Sequence, residues 1–318
     1  MREALIASLG AASVKSYNGY LARFTKACTR MGLPSWREAS TAHVLAFLCD
    51  LARGLQRPSS TLDSAIAALR IAFADSQPSP LDSPLIPRVR KGLVALFTAR
   101  PRKVTPPLPV GPIRDWVRSL PPDDKLSYAD LRLKCAALAA LVLIARPSDL
   151  TRIDASRITF EGDLSAMRID LLGFKNDYRR DGAELKVEAS SEPQVCFLRS
   201  CKRLLELNRK RAPLVRHLFL DPVERRPLTA AEISALLKTA CKAAGLDTAV
   251  FTARTFRPGG ATRGIEGGLP LDLVMHIGRW RSVDTVYGHY LHSRRSVNVT
   301  DVLLGTSGSA GPGALDDT

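Results

Sequence analysis

Apolar positions in the first hundred residues recur at spacings of three and four, the period of an amphipathic helix. Val14, Tyr17, Leu21, Phe24, Cys28 and Met31 form one such stripe, ended near Gly32 and Pro34. Val44, Leu45, Leu48 and Leu51 form a second, closed by Gly54; Leu62, Ile66, Leu69 and Phe73 form a third behind a Ser59/Ser60 cap region. Val89, Leu93, Leu96 and Phe97 form a fourth beginning at Pro87. Four amphipathic helices joined by short loops predict a small bundle over 1–98.

The pattern then breaks. Thr98–Pro112 holds five prolines and a glycine in fifteen residues, with Arg100, Arg102 and Lys103 among them. Such a stretch is not helical, and 99–112 reads as a basic linker. Beyond it the periods mix. Asp130–Ala145 is apolar enough for a buried helix, and short strand-like runs follow at Arg157–Phe160, Met167–Leu171 and Glu184–Glu188, with Asp181-Gly182 as a turn signal. Helical patterns return near 194–209, 229–244, 256–266, 270–277 and 282–292, and 305–318 has the composition of a disordered tail. The expected fold is mainly α with a small antiparallel β-sheet: a helical N-terminal domain and an α+β domain over 113–304.

Charge narrows the partner. The 318 residues carry a formal charge of +15, with 15 Lys and Arg against 6 Asp and Glu in residues 1–110 alone. A basic N-terminal third suits a surface lying along phosphates, and Lys15, Arg23, Lys26, Arg88, Arg90 and Lys91, with the linker cations, are its candidates. The six cysteines include no CxxC pair and read as buried reduced thiols of an intracellular protein. No apolar run reaches membrane-spanning length, and the first residues lack a signal-peptide core. The histidines lack carboxylate partners at metal-ligand spacing, and the Gly-Gly pairs at 259–260 and 267–268 are not phosphate loops, since no Gly-Lys-Ser/Thr follows.

The chemistry is concentrated late in the chain. Arg254-Thr-Phe-Arg257-Pro-Gly-Gly-Ala-Thr262 is followed by Gly278-Arg279-Trp280-Arg281-Ser282 and by His289-Tyr290, and Arg146-Pro-Ser-Asp-Leu150 lies upstream. Arginines offer paired N–H bonds to phosphate oxygens and keep their charge. Indole is a donor only, and a tyrosine hydroxyl can attack phosphorus. Together these boxes resemble those of the tyrosine recombinase (phage-integrase) family. Ala261, Thr262 and Gly268 stand at the family's offsets from Arg257, and Trp280 stands 23 residues after it. Arg254 replaces the usual histidine, Asp149 the usual glutamate, and Tyr290 lies ten residues after Trp280 where nine is usual. Arg-Pro-Gly-Gly-Ala-Thr and Gly-Arg-Trp-Arg-Ser are closest to the forms in eukaryotic mobile elements of the DIRS and Crypton groups.

The resemblance implies a core-binding (SAM-like) domain followed by the family's catalytic domain, closing on double-stranded DNA. It implies strand breakage and rejoining through a 3′-phosphotyrosyl bond, by a homotetramer on two DNA sites, with neither metal nor small-molecule cofactor. The catalytic set it implies is Arg146, Lys175, Arg254, Arg257, Trp280 and Tyr290, with Asp149 orienting Arg146 and with Arg279 and Arg281 as further DNA contacts. Tyr287 remains an alternative nucleophile and Lys186 an alternative proton donor. The protein would act where DNA is, in a nucleus or a bacterial nucleoid. A catalytically silent DNA-binding protein and a type IB topoisomerase-like activity are the competing readings.

Overall fold

The computed structural model describes residues 2–98, 106–174, 177 and 182–289. Lys175, Tyr290, Arg100, Arg102, Lys103, Asp181 and the 305–318 tail therefore lie outside the described residues. The chain divides into two compact units, 1–104 and 105–318.

The first unit is helical: α1 (Arg2–Ala7), α2 (Ala11–Arg30), α3 (Thr41–Arg53), α4 (Ser59–Ala72) and α5 (Leu85–Phe97). The four expected helices are present, and most of their apolar stripes face one another, but Met31 and Leu96, expected in the stripes, are exposed. Phe24, Val44, Leu48, Leu62, Leu69, Ile86 and Leu93 are all buried in one core. Edge-to-face aromatic contacts set its centre, Phe24 against Phe47 at 5.2 Å and Trp36 against Phe73 at 5.1 Å between ring centroids. Two helix starts fall before their sequence signals. Ser59 and Ser60 lie inside the first turn of α4, and Pro87 lies in the first turn of α5, where a missing N–H costs nothing.

The second unit begins with α6 (Val110–Ser119), so the last residues of the expected linker are helical. Gly111 and Pro112 fall in the first turn, where proline is tolerated. Ahead of it Leu108 is buried, and its N–H donates to the Thr255 carbonyl at 3.2 Å. The unit's centre is α7 (Tyr128–Val142), in which Leu131, Cys135 and Ala136–Ala140 are buried on almost every side. Alanines there let neighbouring helices approach closely. The helices α9 (Phe197–Arg211), α10 (Ala230–Ala243) and α11 (Ala253–Glu266) all pack on it. Lys134 is buried as well, and its charge is met by Asp123 at 2.7 Å.

The antiparallel sheet has the order β1-β2-β3, from β1 (Ile158–Phe160), β2 (Ala166–Leu171) and β3 (Ala183–Glu188). Ile169 faces Leu185 across the β2–β3 pair, and both are buried. A short hairpin of β4 (Leu220–Asp221) and β5 (Arg226–Pro227) was not legible, because two-residue strands carry no alternation to read. The four-residue α8 (Pro147–Leu150), α12 (Leu271–Gly278) and α13 (Val283–His289) complete the unit.

Candidate active site

Three helix ends build the site, and each ends or begins for a local reason. At the end of α7, the Ala145 N–H bonds the Ala140 carbonyl at 3.1 Å and the Ile144 N–H bonds Leu141 at 3.2 Å, the two-bond cap of a helix that turns left-handed. The same pair of bonds ends α12, from Trp280 to Met275 at 2.9 Å and from Arg279 to His276 at 3.0 Å. Glycine usually occupies the left-handed position, and Gly32, Gly245 and Gly268 do so after α2, α10 and α11. The two caps at the site instead place Ile144 (φ 44°) and Arg279 (φ 57°) there. A β-branched residue in this region is a backbone outlier of the kind that clusters at functional sites.

Arg257 lies between these two caps on α11. It is 3% exposed, and its Nη1 donates to the Ile144 carbonyl at 2.7 Å while its Nη2 donates to the Gly278 carbonyl. The guanidinium lies over the Trp280 ring, 4.1 Å from its centroid. Trp280 is buried with Ile144, Ala261, Val274 and Val286 in a small cluster of its own. Glycines permit this packing. A Cβ on Gly260 would meet the Leu141 carbonyl oxygen at 2.7 Å, and one on Gly259 would meet the Leu108 carbonyl oxygen at 2.7 Å. A Cβ on Gly278 would lie 2.0 Å from the Trp280 ring. The Gly-Gly pair thus seats α11 against α7 and against the segment before α6, and brings Arg257 to the end of α7.

Asp149 anchors the third end. It is buried at the start of α8, and its Oδ2 accepts the Arg146 backbone N–H at 3.1 Å and Arg279 Nη2 at 3.1 Å. Nη1 of Arg146 lies 3.8 Å from the same oxygen and Nη1 of Arg257 3.9 Å. Three guanidiniums therefore share one carboxylate, leaving an excess of positive charge that suits an oxygen-rich anion. Arg146 is partly exposed, whereas Arg254, one turn before Arg257, is exposed and makes no ion pair among the described residues.

Two expected DNA contacts are already engaged within the protein. Arg279 is buried rather than presented to solvent, and burial lowers its pKa against the opposing pull of Asp149. Arg90 in α5 is held bidentately by Asp63 at 2.6 and 2.7 Å and by Ser59 at 3.0 Å, a geometry that leaves little of its fork for phosphate. Arg281 is exposed, as are Lys15, Arg23, Lys26, Arg88 and Lys91. Arg23 and Lys26 line a groove of about 720 Å³ between α2 and α3, beside the Arg30–Asp50 pair at 3.2 Å. Lys186 lies 3.3 Å from Glu161 on the sheet surface. Lys175 falls in the β2–β3 connection, where buried Asp177 accepts the Gly173 N–H at 2.7 Å. Tyr287 is exposed on α13. Among the described residues no His, Cys, Asp and Glu cluster could hold a metal ion, and no helix is long and apolar enough to cross a membrane.

Helices around a small antiparallel sheet, with two arginines and a tryptophan meeting at three helix ends, define the class. The phage integrase family model matches residues 121–296, and the chain belongs to this family of tyrosine recombinases. Among solved structures it is similar to the XerH site-specific recombinase bound to difH substrate in a pre-cleavage complex, at 17% identity and a TM-score of 0.63, covering 94% of this chain and 80% of that one. It is also similar to a lambda integrase dimer bound to a COC′ core site, at 14% identity and a TM-score of 0.58, covering 93% and 77%. A lambda integrase tetramer bound to a Holliday junction is similar at 17% identity and a TM-score of 0.52, covering 87% and 74%. No curated protein matches the chain in sequence.

Proposed function

We propose that the chain is a site-specific DNA recombinase whose Tyr290 breaks and rejoins duplex DNA. The observation that carries this reading is the convergence of Arg146 and Arg257 on one buried carboxylate at the meeting of three helix ends, with Trp280 packed against Arg257. In the proposed reaction the Tyr290 oxygen attacks the scissile phosphorus as its proton passes to solvent, and the bond to the 5′ oxygen breaks. Lys175 supplies the proton that this oxygen takes up. Arg146 and Arg257 stabilise the charge on the non-bridging oxygens, which is largest in the pentacoordinate state, and Arg254 and Trp280 add donors. The phosphotyrosyl ester conserves the energy of the broken bond, so a free 5′ hydroxyl can reverse the step without nucleotide hydrolysis. Exposed cations of the first unit, Lys15, Arg23, Lys26, Arg88 and Lys91, would bear on flanking phosphates. Assembly as a homotetramer on two DNA sites agrees with the lambda integrase tetramer to which the fold is similar.

The test starts with duplexes that the full-length chain recovers from a randomised library. A nicked version of the recovered sequence should trap a covalent adduct, and the modified peptide should contain Tyr290. An adduct on Tyr287 would reassign the nucleophile. Tight DNA binding with no adduct on any nicked duplex would leave a silent DNA-binding protein.

A further inference from the structure

We infer that Arg279 is a positioning residue for DNA cleavage: it fixes the two arginines of the phosphate site by holding Asp149 and three helix ends together, and does not itself bind phosphate. The inference rests on the reading of the site as one that cleaves DNA. Arg279 donates through Nη1 to the Ile277 carbonyl at 2.9 Å and to the Leu143 carbonyl at 3.3 Å, and through Nη2 to Asp149 at 3.1 Å. Its guanidinium also lies 5.8 Å from the Phe174 ring, in the connection that carries Lys175. One side chain thus touches the end of α7, the start of α8, the end of α12 and the β2–β3 connection.

The pattern repeats that of Arg257 one step along. Arg257 donates to Ile144 and Gly278, and Arg279 donates to Leu143 and Ile277, the carbonyls immediately before them. Two guanidiniums therefore clasp the same pair of helix C-termini, where terminal carbonyls and the helix dipoles favour cations. Both are buried, and what sets Arg279 apart is its left-handed backbone and its direct bond to Asp149 at 3.1 Å, where Arg257 lies 3.9 Å from the same oxygen. Its charge offsets Asp149. With Arg279 neutralised, the buried carboxylate would have Arg146 and Arg257 as its nearest cations, at 3.8 and 3.9 Å, and would draw them away from the phosphate.

The experiment is a double-mutant cycle in the full chain with Arg279→Gln, Asp149→Asn and the pair together. Adduct formation on the nicked library-derived duplex and affinity for the intact duplex are measured for each. Arg279→Gln should slow adduct formation by about ten- to a hundredfold, the range for misplaced catalytic groups, with affinity changed less than about threefold. Asp149→Asn in the same chain should restore at least about half of the lost rate on a logarithmic scale, because no buried charge is left to satisfy. A loss of affinity equal to the loss of rate, or no recovery in the double variant, overturns the assignment.

Should Arg279→Gln not fold, Arg279→Lys keeps the charge. One ammonium can reach Asp149 but cannot also span Leu143 and Ile277, so a smaller rate loss is expected at unchanged affinity, and unchanged rate again overturns the assignment. Thermal melting of the same cycle requires no DNA. Non-additive shifts support the Arg279–Asp149 coupling even if the wild-type chain gives no adduct, in which case the recombinase reading fails on its own. Additive shifts overturn the coupling whatever the activity.

Discussion

Gly260→Ala tests the central packing argument. The added Cβ would lie 2.7 Å from the Leu141 carbonyl oxygen and 3.5 Å from its carbonyl carbon and Cα. Ordinary carbon contacts lie at about 3.5–4.0 Å, so α11 must move away from α7. The obstacle is backbone in a helix cap, where Leu141 already accepts the Ile144 N–H at 3.2 Å, and it has no rotamer by which to yield. Overpacking of this kind costs about 1–3 kcal/mol, against about 1 kcal/mol gained from the better helix propensity of alanine. The net expectation is a loss of up to about 2 kcal/mol, or up to about 8 °C in Tm for a unit of this size.

Function should fall further than stability, because Ile144, next to the displaced turn, supplies the carbonyl that holds Arg257 at 2.7 Å. A misplacement approaching 1 Å at a catalytic group costs up to about a hundredfold. Calorimetry and single-turnover adduct formation are the assays. Gly92→Ala in α5 is the control: nothing lies within 4 Å of its added Cβ, so helix propensity alone should raise stability. A Gly260→Ala protein that melts above the wild-type temperature, or that forms the adduct at the wild-type rate, would refute the reasoning.

Tyr290→Phe should abolish the covalent adduct while duplex affinity stays within about threefold, since only the attacking oxygen is lost. Affinity should fall with salt by a log–log slope of about −0.9 per phosphate neutralised, and a fragment beginning at Thr105 should lose several units of that slope. The fragment must retain Leu108, whose side chain is buried in the second unit's core. Alkylation of the native protein should label Cys49 first, the one cysteine that is not fully buried. Cys241 should resist to high pH, because burial pushes its thiol up to about 11, and early labelling there would contradict its packing. Acid should remove a contribution from Glu232, whose carboxyl is held well below the usual range first by Arg226 and then by Thr229. A depressed carboxylate pKa stabilises above about pH 4.3 and that stabilisation fades as pH falls toward the folded value, so Glu232→Gln should flatten the fall in Tm between about pH 5 and 3.

Most of the helices could be read from the chain because each presents an apolar stripe of period 3.6 to a core, and that period is local. The sheet strands Met167–Leu171 and Glu184–Glu188 were legible because burial on one face imposes alternation over several residues. The arginine boxes were legible because Arg257, Ala261, Thr262 and Gly268 lie on one helix and its cap, so their geometry is carried by spacing along the chain. Asp149 could be read as a partner of Arg146, three residues away on the same turn.

What Arg279 and Arg90 do could not be read in this way. Both appear in sequence as cations in basic surroundings, and only three-dimensional packing directs Arg279 onto Asp149, 130 residues away, and Arg90 onto Asp63, 27 residues away. The sense of Gly259-Gly260 is equally hidden, since it depends on backbones at Leu108 and Leu141 that reach α11 only after folding. So does the left-handed turn at Ile144, which local propensity opposes and which a buried guanidinium and the small cluster around Trp280 hold in place. Periodicity fixes which residues face inward within one element. Which charge meets which carbonyl is decided by contacts between elements far apart in the chain, and those exist only in the folded structure.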